Sequence, residues 1–224
     1  MRPPRACCGA FAHFEKPILN LIFDFGAVLF TWQPALLLER RHAAWVEQHG
    51  GARALAQAFF GHPDWEAFDR GSSEQSEVVL RTSQRLSLPH DDVARLVQSI
   101  APNLTPMPGT LALLQRLVRR REQQDDLKLY FLSNMPVPYA RTLEDLHDFI
   151  EWFDGGIFSG DAGHIKPEPA IYQLMQERYG LDPQHTIFVD DLPANVQAAR
   201  AQGWQAIEFR SPQQLTLELQ RWNL

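Results

Sequence analysis

The sequence predicts an α/β fold: a Rossmann-like core, in which a parallel sheet is wrapped in helices, with a helical cap domain inserted after the first strand. Three observations predict it. Short apolar runs bounded by turn residues recur at Leu19–Phe25, Leu127–Leu132, Gly156–Ser159, Thr186–Val189 and Trp204–Phe209. From Pro106 onward these runs alternate with stretches of helix formers, which is the pattern of a parallel sheet. Residues 33–103 instead carry helix formers and turn residues with no strand-like run. The expected division is a tail over 1–17, a core made of 18–32 and 104–224, and the cap over 33–103.

The elements can be justified in order. Leu19–Phe25 is almost wholly apolar, as a strand buried on both faces must be. Pro34 suits the first turn of a helix, and Ala35–His49 continues with helix formers until Gly50-Gly51 breaks it. Arg53–Phe60 is a second helix, stopped by Gly61 and Pro63, and Asp64–Asp69 is a short helical turn closed by Gly71. Ser73 opens a third long helix with a carboxylate in its first turn, striped by Val78, Val79, Thr82 and Leu86. Asp91 starts the helix over Val93–Ile100. That makes four or five helices. Pro106-Met107-Pro108-Gly109 is a linker. Thr110–Arg121 is amphipathic, with Leu111, Leu114, Leu117 and Val118 on one face. Helices over Val137–Asp148, Pro169–Tyr179, Pro193–Gln202 and Pro212–Leu219 then separate the remaining strands.

Composition narrows the class. The chain has 224 residues, 45% hydrophobic and 21% charged, with a net charge of −6. This is ordinary for a globular domain with a real core and argues against a nucleic-acid partner, which would select a basic face. No apolar run reaches the roughly 18 residues of a membrane span, so no membrane partner is expected. Cys7 and Cys8 are adjacent and have no other cysteine to pair with. A chain without a disulfide framework fits a cytoplasmic location. Arg2, Arg5 and the weakly apolar Ala6–Ala12 only faintly imitate a signal peptide. A monomer or a homodimer is equally compatible with these features.

The chemistry lies at the strand ends. In open parallel sheets the working groups sit just past the carboxyl ends of the strands. Here those ends read Asp24, Ser133-Asn134 and Asp190-Asp191, and the third is followed by a loop carrying Lys166. Three carboxylates crowded on one edge repel one another and raise their pKa values. A hard divalent cation such as Mg2+ resolves this, taking carboxylates, water and substrate phosphate oxygens. With Lys166 beside it, such a site suits a phosphate whose charge is spread in the transition state.

Four motifs carry a family resemblance. They are Asp24-Phe25-Gly26-Ala27-Val28-Leu29, Leu132-Ser133-Asn134, Gly163-His164-Ile165-Lys166-Pro167-Glu168-Pro169-Ala170-Ile171-Tyr172, and Val189-Asp190-Asp191-Leu192-Pro193-Ala194-Asn195. In this order and spacing, over about residues 19–210, the chain resembles the haloacid dehalogenase-like hydrolase superfamily. The inserted helices are similar to the cap of the branch holding sugar-phosphate phosphatases, the phosphatase domain of epoxide hydrolase and the 2-haloacid dehalogenases. Asp64–Gly71 also resembles a cap segment of the glucose-1-phosphate phosphatase-like group. The resemblance implies a Mg2+-dependent hydrolase of small phosphorylated metabolites, sugar phosphates leading. Asp24 would be the nucleophile, forming an aspartyl-phosphate. Mg2+ would be held by Asp24, the Gly26 carbonyl and Asp191, with Asp190 behind them. Ser133 and the Asn134 backbone would grip the phosphate, Lys166 would neutralise Asp24 and a phosphate oxygen, and Asn195 would orient Lys166 or the carboxylates.

One position departs from the family pattern. Most phosphatases of this kind have a second Asp two residues after the nucleophile, which protonates the leaving group and later activates water. This chain has Gly26 there. It remains a phosphatase if the leaving group is a good one, or if water or another side chain fills in. The alternatives are a 2-haloacid dehalogenase, against which Asp190-Asp191 argues, and a non-catalytic binding protein on the same scaffold. His164 is the proton carrier nearest in sequence. Trp32, Gln33, Trp45, Trp65 and Phe68 are candidates to face the substrate, Trp32 and Gln33 first because they sit where cap meets core. Each also has a bland reading: Lys166 as a surface lysine, the Asp and Ser-Asn pairs as caps or turns, the aromatics as core.

Overall fold

The computed structural model describes residues 18–224. The expectations for the tail, for Cys7 and Cys8 and for the signal-like stretch lie outside the described residues. Strand β1 (Leu19–Phe23) is followed by helices α1 (Pro34–Arg41), α2 (Ala43–Gln48), α3 (Ala52–Phe60), α4 (Pro63–Asp69), α5 (Gln75–Leu86) and α6 (His90–Ile100). Then come α7 (Pro108–Gln124), β2 (Leu127–Ser133), α8 (Val137–Leu146), β3 (Gly155–Phe158), the single turn α9 (Ser159–Ala162) and α10 (Pro169–Tyr179). The chain closes with β4 (Thr186–Asp190), α11 (Pro193–Ala201), β5 (Gln205–Glu208) and α12 (Pro212–Leu219).

The strands form one parallel sheet in the order β3-β2-β1-β4-β5. Alternate residues of each strand feed two apolar layers, as the two-residue period of a strand requires. Leu21, Phe23, Leu129, Phe131, Ile187 and Val189 face α7, α12 and the inserted helices. Ile22, Tyr130, Leu132, Phe188 and Ile157 face Ile171, Tyr172 and Met175 of α10, with Trp204. The register sets Phe23 beside Phe131 on one side and Val189 on the other. Asp24, Ser133 and Asp190 therefore reach one edge together, with β1 in the middle.

Local differences from the expected elements have local causes. The single helix expected over Ala35–His49 is two, broken at His42 (φ −140°, ψ 50°). No Pro or Gly marks this break; the His42 ring lies stacked on Trp45 at 3.9 Å. The insertion thus holds six helices among the described residues rather than four or five. The helix expected to run to Asp148 ends at Leu146 and continues as a 3-10 turn over Asp148–Trp152. The turn of α9 after β3 carries no sequence signal that sets it apart from a loop.

Candidate active site at the carboxyl edge of the sheet

Asp24 follows the last residue of β1, and its amide donates to the Val189 carbonyl at 2.9 Å. Pairing with β4 therefore fixes Asp24 at the end of its strand. Its Oδ1 accepts the Phe25 amide at 2.7 Å and contacts Lys166 Nζ at 2.8 Å. Its Oδ2 carries neither contact.

Lys166 is buried between two carboxylates, with Nζ also 2.7 Å from Asp190 Oδ2. Burial pulls its pKa down, but Asp190 and Asp24 outweigh that and leave it above its ordinary value. The lysine is held charged. The loop that presents it is anchored by Asn134: Oδ1 accepts the Lys166 amide at 2.7 Å and Nδ2 donates to the Lys166 carbonyl at 2.9 Å. The Asn134 side chain is thus spent on the loop, and only its backbone remains for a substrate. The Ser133 hydroxyl, buried at the end of β2, makes no hydrogen bond with described residues.

Asp190 is fully buried and saturated. Besides Lys166 it accepts the Leu192 amide at 2.8 Å and Asn195 Nδ2 at 3.0 and 3.1 Å. Asn195 therefore orients Asp190, and through it Lys166. Asp191 is half-buried. Carboxylate oxygens of Asp24, Asp190 and Asp191 lie within 4.8 Å of one another. Burial pushes Asp24 up to about 7, with Lys166 opposing and Asp190 and Asp191 reinforcing. Burial and then Asp190 push Asp191 up to about 6. Three anionic groups share one internal cation, which is the charge imbalance a divalent metal relieves. The Gly26 carbonyl, two residues after Asp24, accepts no backbone hydrogen bond from the described residues. The donor set fits Mg2+.

The remaining expected residues divide. Trp32 is half-buried beside Gly26: a Cβ added to Gly26 would meet its side chain at 3.8 Å. From Trp32 an aromatic chain runs into the insertion, to Phe60 at 5.2 Å, Trp65 at 4.8 Å from Phe60, and Phe68 at 5.6 Å from Trp65. Phe68 in turn lies 5.5 Å from Tyr139. Gln33 is exposed, with no side-chain hydrogen bond to any described residue, at the start of α1. His164 is exposed and also makes none. Trp45 is packed in the core against His42.

Comparison with known proteins places this geometry. A family model for haloacid dehalogenase-like hydrolases matches residues 18–203. The chain belongs to the haloacid dehalogenase-like hydrolases. It is 27% identical over 200 residues to the sesquiterpene phosphatase astK of Aspergillus oryzae, covering 89% of this chain and 94% of that one. It is 27% identical over 177 residues to the phosphoglycolate phosphatase of Escherichia coli K12, covering 78% of this chain and 63% of that longer protein. Among solved structures, a family enzyme from Bacteroides thetaiotaomicron in complex with magnesium and inorganic phosphate superposes with a TM-score of 0.66. It is 20% identical, with 86% of this chain and 94% of that chain covered. This likeness carries the fold.

Sequence reasoning missed the contact between α4 and the Lys166 loop. Arg70, just after α4, pairs with Glu168 through two hydrogen bonds of 2.7 and 2.5 Å. The Ser159 hydroxyl donates to the Asp69 carbonyl at 2.5 Å. Gly71, at φ +76°, packs so close to Gly160 that an added Cβ would lie 2.3 Å from the Gly160 carbonyl oxygen. The sequence marked 64–71 as one segment but assigned Asp69, Arg70 and Glu168 no role, because their partners are about 90 residues away.

Proposed function

We propose that the chain is a Mg2+-dependent phosphomonoester hydrolase acting on a small phosphorylated metabolite through an aspartyl-phosphate intermediate. The observation that carries this reading is the buried Lys166 ammonium bridging Asp24 and Asp190, with Asp191 completing the carboxylate cluster. Asp24, Asp191 and the Gly26 carbonyl would hold Mg2+, which when bound supplies positive charge against the phosphate oxygens. Asp24, with Oδ1 already engaged, presents Oδ2 to phosphorus. Lys166, held charged, meets the charge that builds on the phosphoryl oxygens. The Ser133 hydroxyl and the Asn134 amide add neutral donors. Helices α1–α6 would act as a cap that excludes water. Among the described residues no helix is long and apolar enough to cross a membrane, and we place the enzyme in the cytoplasm.

The substrate class has two readings. Sugar phosphates follow from the family branch. Trp32, half-buried beside Gly26, favours an apolar alcohol instead, and the likeness to a sesquiterpene phosphatase points the same way. The test is phosphate release from hexose 1-phosphates, hexose 6-phosphates and farnesyl phosphate, with and without Mg2+, beside Asp24→Asn. Mg2+-dependent release that is lost in Asp24→Asn is expected. Metal-independent halide release from 2-chloropropionate would overturn the reading in favour of a dehalogenase.

A further inference from the structure

We propose that Asp69, the last residue of α4 in the helical insertion, is the general acid and base that takes the place left empty at Gly26. This rests on the phosphatase reading above.

The placement is built from several independent contacts. The Asp69 backbone is tied to the carboxyl edge of the sheet, because its carbonyl accepts the hydroxyl of Ser159, the residue following β3. Its neighbour Arg70 is clamped to Glu168, two positions from Lys166. Gly71 packs backbone to backbone on Gly160. The end of α4 is therefore pressed onto the loop that carries Lys166. Docked there, the Asp69 carboxyl lies within electrostatic reach of both Lys166 and Asp24. Its carboxyl makes no hydrogen bond or ion pair with any described residue. A half-buried carboxyl without a partner, at a helix end where the dipole disfavours negative charge, holds its proton.

The surrounding groups agree. Burial, and then Glu66 on the same helix, push the Asp69 carboxyl up to about 8; Lys166 opposes and Asp24 reinforces. Tyr139 faces it from α8 with its own pKa raised by burial and by Asp69, so the phenol stays neutral. Asp69 is thus a neutral acid at pH 7, as protonation of a leaving alkoxide requires.

The step balances. As Asp24 Oδ2 bonds to phosphorus and the bond to the ester oxygen breaks, the Asp69 proton passes to that oxygen and the alcohol leaves. The Asp69 carboxylate then takes a proton from the water that attacks the aspartyl-phosphate. Hydrogen phosphate departs, Asp24 is restored, and Asp69 is protonated again.

The experiment compares kcat/KM, which reports transfer to Asp24, for two esters in Mg2+. Nitrophenyl phosphate leaves as a stable phenolate, while butyl phosphate needs a proton. In Asp69→Asn the butyl-to-nitrophenyl ratio is expected to fall by about 10²-fold or more, the usual scale of general acid help. Asp69→Glu should recover part of it, and the wild-type decline in butyl activity above pH about 8 should vanish in Asp69→Asn. A merely structural Asp69 would lower both esters together. An unchanged ratio, whether activity falls or not, overturns the proposal while leaving the phosphatase reading intact. A wild type inactive on both esters sinks the phosphatase reading, and this one with it.

Discussion

Replacing Asp190 by Asn keeps its shape and removes its charge, which isolates the work it does for Lys166. Asp190 Oδ2 accepts from Lys166 Nζ at 2.7 Å and from Asn195 at 3.1 Å, while Oδ1 accepts from the Leu192 amide at 2.8 Å. An amide has one acceptor oxygen. In one orientation its NH2 faces the ammonium of Lys166; in the other it faces the Leu192 amide. Either way one buried donor loses its acceptor, and Lys166 loses one of its two anions. Breaking a buried pair outright costs roughly 3–5 kcal/mol. Lys166 keeps Asp24 at 2.8 Å, so the lower end applies, about 3 kcal/mol. For a chain of this size that is a fall in Tm of roughly 6–12 °C. Scanning calorimetry at pH 7.5 measures it directly. Turnover should also fall by about 10–100-fold, the scale seen when a partner that orients a metal-site ligand is lost. A Tm within about 2 °C of wild type, less than 1 kcal/mol on the same scale, would refute the claim that Asp190 holds Lys166 in place.

Three further outcomes are expected. Gly71→Ala forces a Cβ to 2.3 Å from the Gly160 carbonyl at φ +76°; it should cost about 2–4 kcal/mol of stability and raise KM, and an unchanged Tm would show that the insertion does not rest there. Asp69 has a folded pKa above its unfolded one, so between about 4 and 8 the native state keeps a proton that the unfolded chain gives up. Wild type should therefore lose stability relative to Asp69→Asn as pH rises through that window, by at most about 1.4 kcal/mol per pH unit, and parallel Tm–pH curves for the two would contradict this. Mg2+ at about a hundred times its Kd should stabilise the fold by about 2.7 kcal/mol, an effect that Asp191→Asn should weaken and that an unmoved thermal scan would exclude.

What could be read from the sequence was what neighbouring residues determine. The apolar runs ending at Asp24, Ser133 and Asp190 declared both strands and edge, because a strand buried on both faces is mostly apolar and the polar residue that closes the run marks its end. The sheet then brought Asp24, Lys166, Asp190 and Asp191 together as those runs implied. The roles of Asn134 and Asn195 became specific only with structure: each is a hydrogen-bonding side chain whose partner, the Lys166 backbone or the Asp190 carboxylate, is chosen by packing. The break at His42 could not be read, because it lies between good helix formers and coincides with a ring stacked on Trp45. Asp69 was hidden for a different reason. Within its own segment it is one of three acidic residues on a short helix, and only docking onto Ser159 and Gly160 separates it from Asp64 and Glu66.

On the proposed reading, the seating of α4 on the Lys166 loop would also couple access to reactivity. The carbonyl of Asp69, the guanidinium of Arg70 and the backbone of Gly71 dock as consecutive residues, so they cannot leave one at a time. On the same reading, an excursion of the insertion away from Gly160 would carry Asp69 from the site and release Glu168 from Arg70. A phosphorylated Asp24 would then meet water without its base while the insertion is lifted, and its base with little water once the insertion is seated. Such an enzyme would be interlocked, like a machine whose guard carries one of its own electrical contacts, and its idle hydrolysis of bystander phosphates would be suppressed by the same residues that set its working rate.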